Sequence, residues 1–416
     1  MILSKWLGRA KQPQATDSGD LAKLRPYAGL PFETLDMTAH IVEHIDVEPG
    51  VITAEIPGDQ AVFLQRGQLQ LQTASGFLLH IAAHSPQAAF PLPPRSTLVS
   101  LYASEASRFL LVPASVTPTA LDHHDDRLVR PHLQADEAIA LDNLRSYFRK
   151  DHCELPSLPD LALKIGKAIE DQNNDNDDIA RLIQLDPALT TRIISVVNSA
   201  AFGGVNKITN THQATARLGR YKVRSLVYSC LLKSIFKVHS SALKKRMEDL
   251  WRHSAYVAAL SYVLGKQTPG IDPEQALLAG LVHDIGAVAV IGGINKFPVL
   301  AHRAEVMNYV IDSLRLEAGV LTLRKWNLEG AFLDVVKNAS NWHRVGYAIP
   351  DNVDVVLLAR LHALIGTPEQ GRLPRIDEVP AFSKLVNGEL TPRHSLAMLD
   401  AAEADVREVR GLIGAT

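Results

Sequence analysis

Leu277-Leu278-Ala279-Gly280-Leu281-Val282-His283-Asp284-Ile285-Gly286-Ala287-Val288 is an apolar, helix-like run interrupted by an adjacent histidine and aspartate. Burying a carboxylate in such a segment is costly unless a hydrogen bond, an opposite charge or a metal compensates, so the pair needs partners. His253 is placed to supply one. It opens the helical pattern Arg252–Gly265, and the break Gln267-Thr268-Pro269-Gly270 lets the chain turn back before His283. Two helices joined by a short loop would bring both histidines and Asp284 to one point. Imidazole and carboxylate together suit a divalent cation. A His-Asp dyad is equally well satisfied in a core by a neutral hydrogen bond with no metal, and these residues alone leave both readings open.

The order His253, then Gly280-Leu281-Val282-His283-Asp284-Ile285-Gly286, resembles the HD superfamily of metal-dependent phosphohydrolases. Leu155-Pro156-Ser157-Leu158-Pro159, Asp186-Pro187-Ala188-Leu189, Asn198-Ser199-Ala200-Ala201-Phe202-Gly203, and Leu218-Gly219 before Val223-Arg224-Ser225-Leu226 narrow the likeness. Together they resemble the HDOD domain, a bacterial signalling relative of the HD-GYP phosphodiesterases, over about Leu155 to Leu364. The resemblance implies an all-α helical bundle. It also implies His253, His283 and Asp284 as ligands of a residual site for a divalent metal such as Fe, Mn, Zn or Mg.

Several positions depart from that pattern. Arg360, in Leu358-Ala359-Arg360-Leu361, stands where the family has its last acidic ligand, which removes a ligand and adds a permanent positive charge. Ala287 replaces the lysine that follows the glycine in HD-GYP enzymes. Arg315 and the pair Ala339-Ser340 fall where those enzymes keep downstream histidines, with His343 one helical turn later as a shifted substitute. Metal-assisted hydrolysis needs an open coordination position, an activated water and charge stabilisation at the phosphate. The expectation is therefore a non-catalytic signalling protein whose helical domain binds a protein partner or a nucleotide second messenger. The alternative is a phosphodiesterase using His253, His283 and Asp284, with His343 or Asp312 completing the shell.

Composition agrees with a globular chain: 46% hydrophobic and 21% charged residues, a net charge of −2 and a pI near 6.8. That balance gives no reason to expect nucleic acid as a partner. Only Cys153 and Cys230 are present, which fits a reducing cytoplasm rather than a disulfide framework. The longest apolar runs fall short of a membrane span, and Met1–Arg9 reads as a frayed terminus.

Ahead of the helical region the expected fold class is β, giving a multidomain α+β chain. After a tail over residues 1–26, residues 27–120 show short alternating runs separated by Gly, Pro and Asp, the pattern of a small antiparallel roll or barrel. Ala61-Val62-Phe63-Leu64-Gln65-Arg66-Gly67-Gln68-Leu69-Gln70-Leu71 reads as two strands around a turn. This region resembles the cyclic-nucleotide-binding β-roll, and Arg95 falls where that family keeps its phosphate-binding arginine. His84–Pro94 lacks the Gly-Glu pair and the exposed amides of a phosphate cradle, and its prolines have no N–H to offer. The roll is therefore expected to be degenerate, an interaction or homodimerisation surface. Residues 121–154 form a linker, in which Leu121-Asp122-His123-His124-Asp125-Asp126-Arg127 reads as solvated, and a connecting helix. Residues 155–365 form the helical domain and 366–416 a C-terminal extension, loose over Glu369–Leu390 and ending in an exposed helix over Arg393–Leu412.

Overall fold

The computed structural model describes residues 16–53, 59–74, 76–116, 131–150, 153–199, 202, 207–238, 240–385 and 403–413. Met1–Arg9 and the Leu121–Arg127 run lie outside them.

The described residues open with two short helices, α1 (Ser18–Leu21) and α2 (Phe32–Ala39), where a tail over residues 1–26 followed by strand was expected. Leu21, Leu24, Tyr27, Leu35 and Ala39 bury themselves against Phe63, Leu110 and Val112, so this segment caps the roll. The strands follow: β1 (Glu43–Val47), β2 (Gly50–Val51), β3 (Gln60–Arg66), β4 (Gln68–Thr73), β5 (Leu78–Ala82), β6 (Leu98–Ala103) and β7 (Ser107–Pro113). All pairings are antiparallel, in two sheets ordered β1-β7-β3 and β2-β6-β4-β5. Alternation places Ile45, Leu64, Leu69, Leu71, Ile81, Leu101 and Phe109 inside with Phe90. Ala61–Leu71 is two strands, as its pattern indicates, yet they do not pair with each other. Gly67, at φ 91°, redirects the chain from one sheet to the other, and a Cβ there would lie 2.2 Å from the Ser107 hydroxyl.

Helices fill the remainder. α3 (Ala135–Phe148) joins the two parts and buries Leu141, Leu144 and Phe148. α4 (Asp160–Glu170), α5 (Asn176–Gln184), α6 (Pro187–Val197), α7 (Thr211–Leu218) and α8 (Arg220–Leu231) form the first half of the bundle. Their ends follow local chemistry: Asp175 and Asp178 make a reciprocal capping box, and Asp186 accepts from the amides of Ala188 and Leu189 ahead of Pro187. Asn198 closes the following loop, donating to the carbonyls of Ile194 and Ile208 and accepting from the Ile208 amide.

The second half centres on α9 (Ser241–Gln267), which is longer than the Arg252–Gly265 pattern, with α10 (Pro273–Val282), α11 (Ile285–Ile294), α12 (Ala304–Lys325), α13 (Ala331–Asn338) and α14 (Asn352–Ala363) around it. Pro273–Ile294 is long and apolar enough by composition to cross a bilayer, but its most apolar stretch is almost wholly buried inside the protein, and the helix breaks at His283–Asp284. Of the extension, residues 386–402 lie outside the described residues, which takes in the end of the Glu369–Leu390 segment and the first half of the expected Arg393–Leu412 helix, while the described parts carry helices. α15 (Pro380–Leu385) buries Phe382 and Lys384, and α16 (Glu403–Leu412) turns Val406 and Val409 inward. Apolar residues at helical spacing within a polar, Pro-rich stretch decide this outcome.

The two domains are joined at a seam. Ala348 sits in the core of the roll, and its amide donates to the Pro91 carbonyl at 2.9 Å. Beside it, the fully buried Lys384 donates to both carboxylate oxygens of Asp354, at 2.7 and 2.8 Å, and lies 5.1 Å from the Phe90 ring centroid. Arg344 reaches Asp354 at 3.2 Å and Asp351 at 2.5 Å. Asp351 and Asp354 also form the capping box of α14.

One contact sets the geometry around the His-Asp pair. At Gly286 a Cβ would lie 1.7 Å from the Arg315 carbonyl oxygen and 2.8 Å from the Gly319 nitrogen, so α11 and α12 meet backbone to backbone. Gly286→Ala must push the helices apart. A loss of about 2 kcal/mol or more is expected from such overpacking, measured as a lowered urea midpoint at unchanged slope; an unchanged midpoint would show that the crossing is loose.

Candidate functional site

His283 is the C-cap of α10, and Asp284, at φ −120° and ψ 31°, stands between α10 and α11. Gly280 lets α10 approach α9 closely: a Cβ there would come within 2.6 Å of the Ser261 hydroxyl and 2.7 Å of the Ala258 Cα. His253, on α9, thereby faces His283, with ring centroids 5.5 Å apart at an interplanar angle of 63°.

The His283 ring is fixed by its Nδ1, which lies 2.7 Å from the Gly280 carbonyl oxygen. A carbonyl only accepts, so Nδ1 carries the proton and Nε2 the lone pair. That Nε2 is buried and has no hydrogen-bond partner among the described residues. Burial pushes His253 down to about 4, reinforced by the Arg360 guanidinium. Burial also pushes His283 down to about 3, with His253 adding to the effect. Both rings are therefore neutral at ordinary pH.

Arginines complete the surroundings. Arg315, on α12, lies 4.0 Å from Asp284 and 3.4 Å from Asp312. Its Nη2 donates to the Ser340 hydroxyl at 3.0 Å. Arg360, on α14, donates to the Ala339 carbonyl at 2.7 Å and to the same Ser340 hydroxyl at 3.3 Å, while stacking 5.0 Å from the Trp342 ring centroid. Two guanidinium groups thus converge on Ser340 beside Asp284.

His253, His283, Asp284, Arg315, Ser340 and Arg360, positions the sequence marks, are gathered here. His343 is exposed, and Ser340, one turn earlier, is the residue that reaches the arginines. The Arg360–Trp342 stack carries no readable signal, because it depends on a loop turning back over α14. As donors for a metal ion the site offers the two neutral imidazoles of His253 and His283 and the Asp284 carboxylate. Among the described residues no three His, Cys, Asp or Glu side chains are grouped to hold one; Arg315, Arg360 and the Asp312 carboxylate stand nearby. Arg95 lies elsewhere, on the roll, where its fork donates to the carbonyls of Leu98 at 2.5 Å and Val99 at 3.3 Å. It is engaged with its own backbone in this structure.

The helical domain has recognised relatives. Residues 155–342 match the HDOD domain family. An uncharacterized protein of Treponema pallidum is 24% identical over 44% of this chain, and the match spans 37% of that relative's length. A Shewanella amazonensis structure described as a candidate metal-dependent phosphohydrolase superposes with a TM-score of 0.56, at 22% identity, covering 67% of this chain and all of its own. An HDOD domain protein of unknown function from Geobacter sulfurreducens gives a TM-score of 0.46 at 21% identity, covering 66% of this chain and 97% of its own. The first of these structures establishes a shared fold.

The two depressed histidines make stability depend on acid. An unfolded histidine protonates near its ordinary pKa of about 6.5, whereas these rings resist protonation until far lower pH, so the unfolded state binds more protons in between. Stability contributed by the pair is complete above about 6.5 and falls as pH drops toward their folded values. His283→Gln should therefore lose less stability than the parent chain between pH 7 and pH 5 when urea midpoints are compared, and parallel profiles would contradict the assignment.

Proposed function

We propose that this chain, whose residues 155–342 form an HDOD domain, is a non-catalytic signal-transduction regulator that binds a protein partner or ligand through its helical domain. The observation carrying this reading is the convergence of Arg315 and Arg360 on Ser340 beside Asp284. Metal-assisted hydrolysis places a cation against the His-Asp pair and leaves coordination positions open for water and substrate. Here fixed guanidinium groups already supply positive charge, and a divalent ion would be added next to them with fewer ligands than such a site uses.

The joint between roll and bundle supports the regulatory half of the reading. α14 begins at the seam, where Asp354 holds Lys384 under Phe90, and ends with Arg360 in the candidate site. A change in the roll's packing against Phe90 would act on the same rigid element that carries Arg360.

A second reading, a metal-dependent phosphohydrolase, is favoured by one detail. The His283 Nε2 lone pair is buried and unpaired, with Nδ1–H on a carbonyl, which is the arrangement a metal-binding imidazole uses. Metal analysis of the full chain purified without chelator, beside His283→Ala, separates the two. Substoichiometric metal that does not change in the variant is the expected result. About one transition metal per chain, lost in His283→Ala, would overturn the non-catalytic reading and call for a phosphodiesterase screen.

A further inference from the structure

A cavity of about 280 Å³, close in size to the smallest ligand sites, lies between α11, the chain entering α9 and the Leu155-Pro156 segment. None of His253, His283, Asp284, Arg315 and Arg360 lines it. Buried Val288 and Ala289 line it from α11, and half-buried Leu155, Ile235 and Val238 line its other sides. The Leu155-Pro156 side is pinned in place: the Trp326 indole N–H donates to the Pro156 carbonyl at 3.0 Å, and Lys325 donates to the Leu155 carbonyl at 3.1 Å. Two of the charged lining groups, Lys296 and Glu154, pair with each other at 2.8 Å. The third, the exposed Lys237, has no ion-pair partner among the described residues. It belongs to a cationic stretch, since residues 232–247 also carry Lys233, Lys244, Lys245 and Arg246 and contain no Asp or Glu.

A glycine gives the cavity its room. Gly292 sits inside α11 with ordinary helical backbone, a position where glycine is less stabilising than alanine. The neighbouring glycines of α10 and α11 have a packing reason: a Cβ at Gly280, Gly286 or Gly293 would lie 2.6, 1.7 or 2.7 Å from an atom of another element. A Cβ at Gly292 would meet nothing within 4 Å beyond its own turn of helix, and the residue lines the cavity. The packing of the described residues therefore does not require the missing side chain. What the glycine preserves is space above an apolar surface, next to an unpaired ammonium.

We propose that this cavity binds a small anionic amphiphile, a carboxylate with a short alkyl or indole tail, whose tail lies over Gly292 and whose head group meets Lys237. The tail leaves water against Val288, Ala289 and Ile235. The head group forms a charge-assisted hydrogen bond with the one charged lining group that has no ion-pair partner. A cationic head would instead face both Lys237 and Lys296. The inference concerns a different place from the His-Asp site and is independent of whether that site holds metal.

Titration calorimetry on the full chain tests it, with octanoate below its micelle concentration and indole-3-propionate as probes, and acetate, 1-octanol and octylamine as comparators. Saturable binding of at least one probe is expected, with every comparator at least tenfold weaker than the better probe. Lys237→Ala removes one charge-assisted hydrogen bond and should weaken binding about tenfold, and its exposed position lets the variant keep the parent melting temperature. Gly292→Leu fills the cavity and should abolish binding. Gly292→Ala should raise the melting temperature, because the helix gains a better former and the new Cβ meets open space. Absence of saturable heat from both probes, a comparator that matches the better probe, parent affinity in Lys237→Ala or Gly292→Leu, or a lowered melting temperature in Gly292→Ala would each overturn the assignment.

Discussion

The backbone crossing of α11 and α12 at Gly286 is the constraint from which the candidate site follows. Without a Cβ at that position, the Arg315 carbonyl and the Gly319 amide come into direct contact with α11. The close approach brings Arg315 to within 4.0 Å of Asp284, two residues before the crossing. Any side chain at Gly286 would widen the gap and carry the guanidinium away from the carboxylate. Gly280 performs the corresponding service on the other side, drawing α10 against α9 so that His253 faces His283. Two small residues flanking the His-Asp pair thus set the distance to each neighbouring helix.

α14 gives the site its connection to the rest of the molecule. Its first turn carries Asp351 and Asp354, which cap the helix and hold Arg344 and Lys384. A fully buried ion pair adds little net stability, because desolvation offsets the attraction, but losing one partner strands a charge. Its effect is therefore on orientation: Lys384 must stay under Phe90, and the roll must stay where Phe90 can cover it. Six residues along the same helix from Asp354, Arg360 reaches Ala339 and Ser340. A helix transmits a shift at one end to the other because its backbone hydrogen bonds resist stretching.

Much of this was legible in the sequence, and what was not has a physical reason. Strand alternation in the roll is a local property that residue spacing carries directly, while the interest of Arg360 came from the family resemblance. The partners of β3 and β4 were not legible, because a glycine turn reads alike whether it closes a hairpin or crosses between sheets. The burial of Lys384 was hidden for a different reason. Lysine in a Pro- and Gly-rich stretch reads as solvated, and only the distant Asp354 and Phe90 make its burial tolerable. Likewise the Arg315–Ser340–Arg360 arrangement joins three separate segments, so each residue could be marked as a departure from a pattern without the departures being seen to touch.

That they touch changes what the departures mean. A site that merely loses ligands is left with orphaned carboxylates and empty space, which later substitutions would fill at random. Here, where the sequence pattern leads one to expect histidines and an acid, two arginines and a serine hydroxyl bond to one another, and Trp342 covers one guanidinium plane. The carboxylate of Asp284 keeps a cation nearby while the neutral histidines contribute none. Arg315 thereby sets a positive charge of the chain's own beside the partly buried Asp284 carboxylate, next to the buried His283. Such contacts tie α9, α12 and α14 to the break between α10 and α11, so a displacement of any one of these helices is felt by the others.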